Sequence, residues 1–191
     1  MDASNGWNEV ADQFMTVRSN TGAQLVRSWA RDNLKNSGTV IDIGCGTGMP
    51  IAHILMEEGY EVFGIDASPN FIAAFRRHFP YAQSACESAQ DSAFFHRRFN
   101  AAIAVGLLFL LNEDDQRKVI HKIAKSLEPG GRFLFSAPRE KGHWRDSLTG
   151  RRSVSLGEHE YEQILKKSGL KLAACLVDEG ESNYYNAVRD M

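Results

Sequence analysis

Apolar residues recur along this chain in blocks whose spacing alternates between that of a helix and that of a buried strand. Residues 7–17 carry an apolar side chain at every third or fourth position, which is the pattern of one helix face, and residues 23–30 repeat it. Residues 39–43 (TVIDI) form a mostly apolar, β-branched run instead, which is typical of a strand covered on both faces. The pattern therefore predicts two helices ahead of the first strand.

From residue 44 onward, helix and strand patterns alternate along the chain. Strands are predicted over residues 61–65, 81–86, 101–109, 132–136, 170–177 and 183–188, and helices over residues 50–59, 68–78, 112–127 and 155–168. Ser68, Asn112 and Ser155 are the predicted helix N-caps, residues 128–131 (EPGG) a turn, and the last two strands an antiparallel hairpin. The alternation predicts an α/β fold, a doubly wound and mostly parallel seven-stranded sheet with one antiparallel strand.

Composition favours a single globular domain over residues 1–191, because 43% of the residues are hydrophobic and 24% are charged. The longest apolar run, residues 101–111, falls well short of the ~18 residues of a membrane span. The first residues have neither the basic nor the apolar region of a secretory signal, so we expect a soluble, cytoplasmic protein with no membrane partner.

Cysteine spacing and charge limit the function further. The three cysteines include no Cys-x-x-Cys pair, so neither a disulfide framework nor a metal site is predicted. The net charge of -2 gives no basic field, and we expect no DNA partner. The sequence gives no oligomeric state.

A glycine-rich turn directly after the first strand is the strongest chemical signal. Gly44, Gly46 and Gly48 lack Cβ atoms, so a ligand can lie against the backbone at the edge of the sheet; the alternative is that the turn serves helix packing alone. The dinucleotide fingerprint requires glycine at position 49, which is Met49. Asp42, two residues ahead of the turn, would repel a pyrophosphate. The turn therefore favours a ligand that carries positive charge.

The segment VIDIGCGTG at residues 40–48 resembles motif I of the class I S-adenosylmethionine-dependent methyltransferases. Residues 62–69 (VFGIDASP) and 127–134 (LEPGGRFL) are similar to further motifs of that family, and the resemblance covers about residues 40–137. It implies a Rossmann-like methyltransferase fold and S-adenosylmethionine as cofactor. The resemblance also implies that the chain has three regions. These are N-terminal helices that serve as a lid (1–37), a cofactor-binding core (38–137), and a substrate loop, last helix and closing hairpin (138–191).

The predicted cofactor site combines family motifs with residues placed near them by the predicted fold. Its members are Phe14, Arg18, Asp42, Gly44, Cys45, Gly46, Gly48, Asp66, Ala67, Ser68, Glu87, Val105 and Gly106. A carboxylate at Asp66 can accept both ribose hydroxyls, with helix capping as the alternative. The resemblance implies that Ala67 and Ser68 line the adenine and that Val105 and Gly106 lie beside the methionine part.

Three members of this predicted site come from the lid and from the end of the third strand. The family's acidic residue at the end of the third strand is replaced by Cys86, which leaves the next residue, Glu87, to meet the adenine amine or to be solvated. In the lid, Phe14 could cover the cofactor or pack on the core, and Arg18 could hold the cofactor's carboxylate.

Methyl transfer from a sulfonium needs mainly in-line positioning, so no catalytic base can be demanded of the sequence. The segment after the fourth strand, GLLFL, lacks the Asn/Asp-Pro-Pro-aromatic signature of enzymes that methylate amino groups of bases or amides. The chain also has no Pro-Cys pair for attack on a pyrimidine carbon. A small-molecule acceptor is therefore expected. An RNA or protein acceptor and a non-catalytic cofactor-binding module are the alternatives.

The predicted loop at residues 139–152 is rich in basic residues. Arg139 and Arg145 could pair with an anionic group of the acceptor, and a solvated loop is the alternative. His143 is the candidate base, with a structural role as the alternative. Trp144 and Tyr184 could form an aromatic wall, or they could be core residues.

Overall fold

A computed structural model describes residues 3–35 and 37–191. The described helices are α1 (Ala11–Val17), α2 (Ala23–Asn33), α3 (Ile51–Glu57), α4 (Pro69–His78), α5 (Glu113–Ser126) and α6 (Glu158–Lys167). The described strands are β1 (Thr39–Ile43), β2 (Glu61–Asp66), β3 (Gln83–Cys86), β4 (Phe99–Ala104), β5 (Leu127–Ser136), β6 (Gly142–Arg145), β7 (Arg152–Ser155), β8 (Leu170–Val177) and β9 (Asn183–Arg189). Within these ranges, no helix is long and apolar enough to cross a bilayer.

Seven of the strands form one sheet in the order β3-β2-β1-β4-β5-β9-β8. Strands β1 to β5 pair in parallel, and β9 is antiparallel to both β5 and β8. The predicted fold class is confirmed. Because the parallel strands share a direction, the loops that follow them all emerge at one edge, where folds of this kind bind ligands.

Two apolar cores lie on opposite faces of the sheet, since neighbouring strand residues point to opposite sides. Val40 packs with Trp29 and Phe75 under helices α2 to α4, whereas Ile41 packs with Ile120 and Tyr161 under α5 and α6. Residues 40–43 of β1 are all buried, as the β-branched run predicts. The two cores fix the central strands and hence the loops at their carboxyl ends.

Two predicted helix N-caps are confirmed and one is wrong. The Ser68 hydroxyl accepts a hydrogen bond from the Phe71 amide at 3.2 Å, and the Asn112 side chain accepts one from the Asp115 amide at 2.9 Å. Ser155 does not cap α6, because its hydroxyl donates to the Pro138 carbonyl at 2.9 Å and the helix begins after Gly157. Ser155 therefore ties β7 to the end of β5.

Three segments differ from the predicted pattern. The predicted strand 101–109 ends at residue 104, and Leu108–Leu110 form a short 3-10 helix. Residues 128–131 continue β5 and shift its pairing register against β4, rather than forming a turn. The predicted loop at residues 139–152 contains β6 and the first residue of β7, which pair antiparallel. In all three segments, tertiary contacts override local sequence signals.

Candidate functional site

A cavity of about 790 Å³ opens at the carboxyl edge of the parallel strands. Its lining comes from the N-terminal segment, the loops after β1 to β5, the β6–β7 hairpin and the β8–β9 turn. Small-molecule sites commonly occupy ~300–1,000 Å³, so this cavity lies in the upper part of that range. The cavity has room for a ligand larger than a single small ring.

Twelve of the predicted site residues line this cavity and six do not. Those in the lining are Phe14, Arg18, Gly44, Gly46, Asp66, Ala67, Glu87, Val105, Gly106, Arg139, Trp144 and Tyr184. Those outside it are Asp42, Cys45, Gly48, Ser68, His143 and Arg145. The structure therefore brings together most of the predicted cofactor residues from five separate segments, but not the candidate base.

Two glycines leave open space above the backbone of the cavity floor. Gly46 has φ of 54° and Gly106 has φ of 73°, and a Cβ built at either position would meet nothing within 4 Å. Gly48 differs, because a Cβ there would lie 2.5 Å from the Phe79 ring. The first two glycines thus admit a ligand, whereas Gly48 is required by packing between the glycine loop and α4.

Asp66 closes β2 and joins two loops of the lining. One carboxylate oxygen accepts a hydrogen bond from the Gly46 amide at 2.9 Å, and the other accepts one from the Ser68 amide at 2.8 Å. Burial raises the pKa of this carboxyl to about 6, although the two amides favour the ionised form. Each oxygen keeps a second lone pair for a ligand hydroxyl.

Asp42 lies behind the glycine loop, not in the cavity wall, which corrects the expectation of direct ligand contact. Its side chain is buried, and its Oδ2 atom has no hydrogen-bond partner. Burial, followed by the nearby charge of Asp66, raises the pKa of Asp42 to about 7, while Arg18 acts in the opposite direction. Asp66 at the cavity floor and Asp42 behind it are therefore two carboxyls that a cationic ligand would help to ionise.

These shifts predict that the ligand-free protein loses stability as the pH rises from about 4 to about 7, because the folded state retains protons that the unfolded state has released. One such proton corresponds to about 1.4 kcal/mol per pH unit. The melting temperature should then fall by about 3–6 °C per pH unit. Thermal unfolding of the wild type and of Asp42→Asn across this pH range measures how much Asp42 contributes to the loss of stability.

The matched control for this prediction is Asp32→Asn, which removes an exposed carboxylate from α2. Asp42→Asn should flatten the fall in melting temperature, since its amide stays neutral at every pH, and the control should leave the slope unchanged. If the melting temperature falls equally steeply with pH in the wild type and in Asp42→Asn, Asp42 is not the source of the pH dependence.

The N-terminal segment covers the cavity with aromatic side chains. The Phe14 ring meets Trp7 at 5.4 Å and Phe71 at 5.5 Å, both in edge-to-face contact, and all three rings line the cavity. Arg18 follows on the same segment, half-buried, and desolvation lowers its pKa. Phe14 and Arg18, which were predicted to belong to a lid, both line the cavity.

Asn8 holds this cover to α4, a contact that the sequence analysis missed. Its side-chain oxygen accepts hydrogen bonds from the Ser68 hydroxyl at 2.8 Å and from the Asn70 amide at 3.0 Å. Ser68, predicted to line the adenine, is fully buried by this contact and by its capping bond. No local signal marks Asn8, because its partners lie about sixty residues away in sequence.

The end of β3 and the neighbouring loop contribute less than predicted. Glu87 is exposed and lines the cavity, and its backbone amide donates to the Asp66 carbonyl at 3.0 Å. Cys45 is buried against Gly64, beneath the floor. Glu87 therefore stays a candidate ligand residue, whereas Cys45 belongs to the packing of the loop.

The far end of the cavity is walled by the β6–β7 hairpin and the 3-10 helix. Trp144 and Phe109 face each other at 5.6 Å between ring centroids, and Leu148 joins them in the lining. Tyr184 also lines the cavity, but it is 2% exposed and its hydroxyl donates to Asp178 at 3.0 Å. Trp144 is thus the freer aromatic surface of the two that the sequence singled out.

Most basic side chains of residues 139–152 do not face the cavity. Arg139 lines it but pairs with Glu158 at 3.2 Å, and Arg145 donates to the Gly150 carbonyl at 3.0 Å outside it. His143 is exposed on β6 and outside the lining, so the expected base is not placed at the cavity. No group of three or more His, Cys, Asp or Glu that could hold a metal ion occurs in residues 3–35 and 37–191.

The charge of the lining is predominantly negative. The charged lining residues are Arg18, Arg139, Asp66, Glu87, Glu140, Asp146, Asp178 and Glu181, which makes two cations against six carboxyls. A cavity of this charge attracts cationic ligands and repels anions. The excess of basic residues in the loop sequence therefore does not carry over to the cavity.

The chain is similar to known proteins in both sequence and fold. A family model described as a methyltransferase domain matches residues 40–131. A carboxy-S-adenosyl-L-methionine synthase of Cronobacter sakazakii is 28% identical over 141 residues, covering 70% of this chain and 56% of that protein. A ubiquinone biosynthesis O-methyltransferase of Salmonella arizonae is 27% identical over 139 residues, covering 69% and 57%.

A solved structure extends the likeness to nearly the whole fold. The structure is that of Burkholderia thailandensis 1,6-didemethyltoxoflavin-N1-methyltransferase with bound 1,6-didemethyltoxoflavin and S-adenosylhomocysteine. The two chains superpose with a TM-score of 0.74 and are 17% identical, and the match covers 97% of this chain and 84% of that chain. At that identity the likeness concerns the fold alone. This chain matches a little over half the length of the two sequence relatives.

Proposed function

This chain belongs to the class I S-adenosylmethionine-dependent methyltransferases, and from that premise we propose that it transfers a methyl group from S-adenosylmethionine to a small-molecule acceptor. The observation that carries the proposal is Asp66, held between the Gly46 and Ser68 amides at the floor of the cavity. A carboxylate fixed in this way is suited to accept two neighbouring hydroxyls, as a ribose offers them.

The residues of the cavity fit this cofactor in shape and in charge. Gly46 and Gly106 leave backbone surface open to a ligand, as a cofactor that lies along the loop requires. Asp42 and Asp66 provide negative charge at and behind the floor for a ligand that bears an ammonium and a sulfonium. Arg18 is the basic side chain at the lid, available for a carboxylate.

The bound cofactor would supply an electrophilic methyl group, because its positively charged sulfur leaves as a neutral thioether. The chain's own contribution is then to position the acceptor and to exclude water. Trp7, Phe14 and Phe71 form an apolar cover over the cavity, and Val105 and Gly106 shape its floor at the end of β4. No catalytic base is assigned, since an acceptor with a free lone pair needs none.

The relatives support a small-molecule acceptor. The names of the carboxy-S-adenosyl-L-methionine synthase and of the ubiquinone biosynthesis O-methyltransferase describe the formation of small molecules. The negative lining also disfavours the phosphate backbone of RNA, which basic surfaces bind. A protein acceptor and a non-catalytic cofactor-binding module are the alternatives, and the assays below distinguish each of them from a small-molecule acceptor.

Binding experiments test the cofactor first. Calorimetric titration should give micromolar dissociation constants for S-adenosylmethionine and S-adenosylhomocysteine, equivalent to about 7–8 kcal/mol. NAD serves as the control, because Met49 interrupts the dinucleotide fingerprint and no comparable binding is expected. Binding of NAD as tight as that of S-adenosylmethionine would overturn the cofactor assignment.

Turnover is tested with methyl-labelled S-adenosylmethionine and a cell extract separated by mass. The label should enter the low-mass fraction when the protein is added, and it should not do so when the protein is left out. Label in the RNA or protein fraction would replace the small-molecule acceptor. Tight cofactor binding without transfer to any fraction would favour the non-catalytic module.

A further inference from the structure

The segment that leads through β6 separates its side chains by charge. Within β6, alternate residues point to opposite faces, and Trp144 lines the cavity while residues 143 and 145 do not. Glu140, in the bend before β6, and Asp146, directly after it, also line the cavity, whereas residue 141 does not. The cavity-facing set is Glu140, Trp144 and Asp146, whereas the outward set consists of basic residues and a histidine. The hairpin thus presents an aromatic ring and two carboxylates to the ligand.

The two basic residues of the outward set make contacts elsewhere. Lys141 pairs with Glu160 of α6 at 3.3 Å, and Arg145 donates to the Gly150 carbonyl at 3.0 Å. Arg139 lines the cavity, but Glu158 neutralises it at 3.2 Å. The positive charge of the loop is therefore turned outward or paired, and it cannot serve as a strong receptor for an anion.

The two inward carboxylates have no cationic partner among the described residues. Glu140 is exposed and makes no side-chain hydrogen bond or ion pair there. In Asp146, Oδ1 accepts from the Leu148 amide at 3.0 Å and the Thr149 amide at 2.7 Å, which fixes the turn. The negative charge of both residues is left to be matched by a ligand.

Trp144 is also placed for a ligand. All four residues of β6 are exposed, and Trp144, which lines the cavity, keeps 37% of its surface exposed and lies 5.6 Å from Phe109 between ring centroids. A large aromatic residue on an exposed strand leaves apolar area that a ligand can cover. An indole face beside carboxylates is the arrangement that attracts organic cations.

On these observations we propose that the acceptor is an apolar ring compound carrying a basic amine, and that Trp144, Glu140 and Asp146 recognise it. The ring covers the wall formed by Trp144 and Phe109, and the protonated amine is the recognition group for the carboxylates. This inference rests on the proposed function and replaces the expected anionic acceptor with a cationic one.

Three indole probes of similar size and different charge test the inference. Tryptamine is a cation, tryptophol is neutral and indole-3-acetate is an anion at neutral pH. Each is titrated into the protein saturated with S-adenosylhomocysteine, whose own binding is measured first. We expect tryptamine to bind about tenfold more tightly than indole-3-acetate, with tryptophol between them.

Variants assign the preference to the hairpin. The double variant Glu140→Gln and Asp146→Asn should bring tryptamine to the affinity of tryptophol, because it removes the charge and keeps the turn-capping oxygen. Trp144→Ala should weaken tryptamine binding by about fivefold or more, and Trp144→Phe should recover part of that loss. His143→Gln, on the outward face of the same strand, is the matched control and should leave all three affinities unchanged.

The outcomes separate this inference from the proposed function. If the wild-type protein does not bind S-adenosylhomocysteine, both the proposed function and the amine acceptor are overturned. Normal S-adenosylhomocysteine binding with indole-3-acetate as the tightest probe, or with no probe bound, would overturn the amine acceptor alone. A tryptamine preference that survives the double variant would overturn the assignment to the hairpin.

Discussion

Gly48→Ala is expected to lower the free energy of unfolding by about 2–5 kcal/mol. An L-residue in a left-handed conformation costs about 1–2 kcal/mol, and Gly48 has φ of 80°. Overpacking costs about 1–3 kcal/mol more, since the new Cβ would lie 2.5 Å from Phe79 and 2.9 Å from Phe75. Denaturant unfolding measures the sum directly.

Variants of two other glycines separate the conformational cost from the packing cost of Gly48→Ala. Gly59 has φ of 89° and open space at its Cβ position, so Gly59→Ala measures the conformational cost alone, away from the cavity. Gly46→Ala adds a methyl group to the cavity floor, so it should weaken S-adenosylhomocysteine binding while costing no more stability than Gly59→Ala. If Gly48→Ala costs no more than Gly59→Ala, the packing of Phe79 and Phe75 is not the constraint.

The cofactor-binding half of this fold could be predicted because its signals are local. The β-branched run of β1, the glycine turn after it and the cap at Ser68 each stand within a few residues of the structure they specify. Asp66 could be placed at the floor because it ends a buried strand of a parallel sheet. In such places local propensity and tertiary packing agree.

The segment after β4 could not be predicted because its geometry depends on distant contacts. Residues 105–109 read as a continued strand, yet Gly106 turns the chain at φ of 73°, and its amide donates to the Ser136 hydroxyl at 2.7 Å. The apolar residues beyond it belong to the cavity wall. A short apolar run does not distinguish a strand from such a turn.

The segment 139–152 shows that the charge of a segment does not give the charge of the cavity that the segment lines. The excess of basic residues from 139 to 152 predicted an anionic ligand, but β6 alternates its side chains across two faces. Trp144 falls on the inner face of β6, and Glu140 and Asp146, which flank the strand, also line the cavity.

Asp66→Ala is expected to weaken S-adenosylhomocysteine binding by about 10- to 150-fold, or about 1.5–3 kcal/mol, the cost of losing hydrogen bonds to a charged group. The carboxylate is held by the Gly46 and Ser68 amides, so it cannot be replaced by a neighbouring side chain without movement of both loops. Calorimetry on the folded variant gives the dissociation constant, and thermal unfolding verifies that the fold persists.

The pH dependence of binding distinguishes a direct contact from a structural effect of Asp66. Burial places the pKa of this carboxyl at about 6 in the free protein, so S-adenosylhomocysteine affinity should fall as the pH drops below that value and the carboxylate accepts a proton. Asp66→Ala should lose that part of the pH dependence along with the affinity. Glu181→Gln is the control, because it removes an exposed carboxylate from the same lining without touching the floor. An unchanged dissociation constant in folded Asp66→Ala, or an equal loss in Glu181→Gln, would show that the general negative charge of the cavity, and not the Asp66 clamp, holds the ligand.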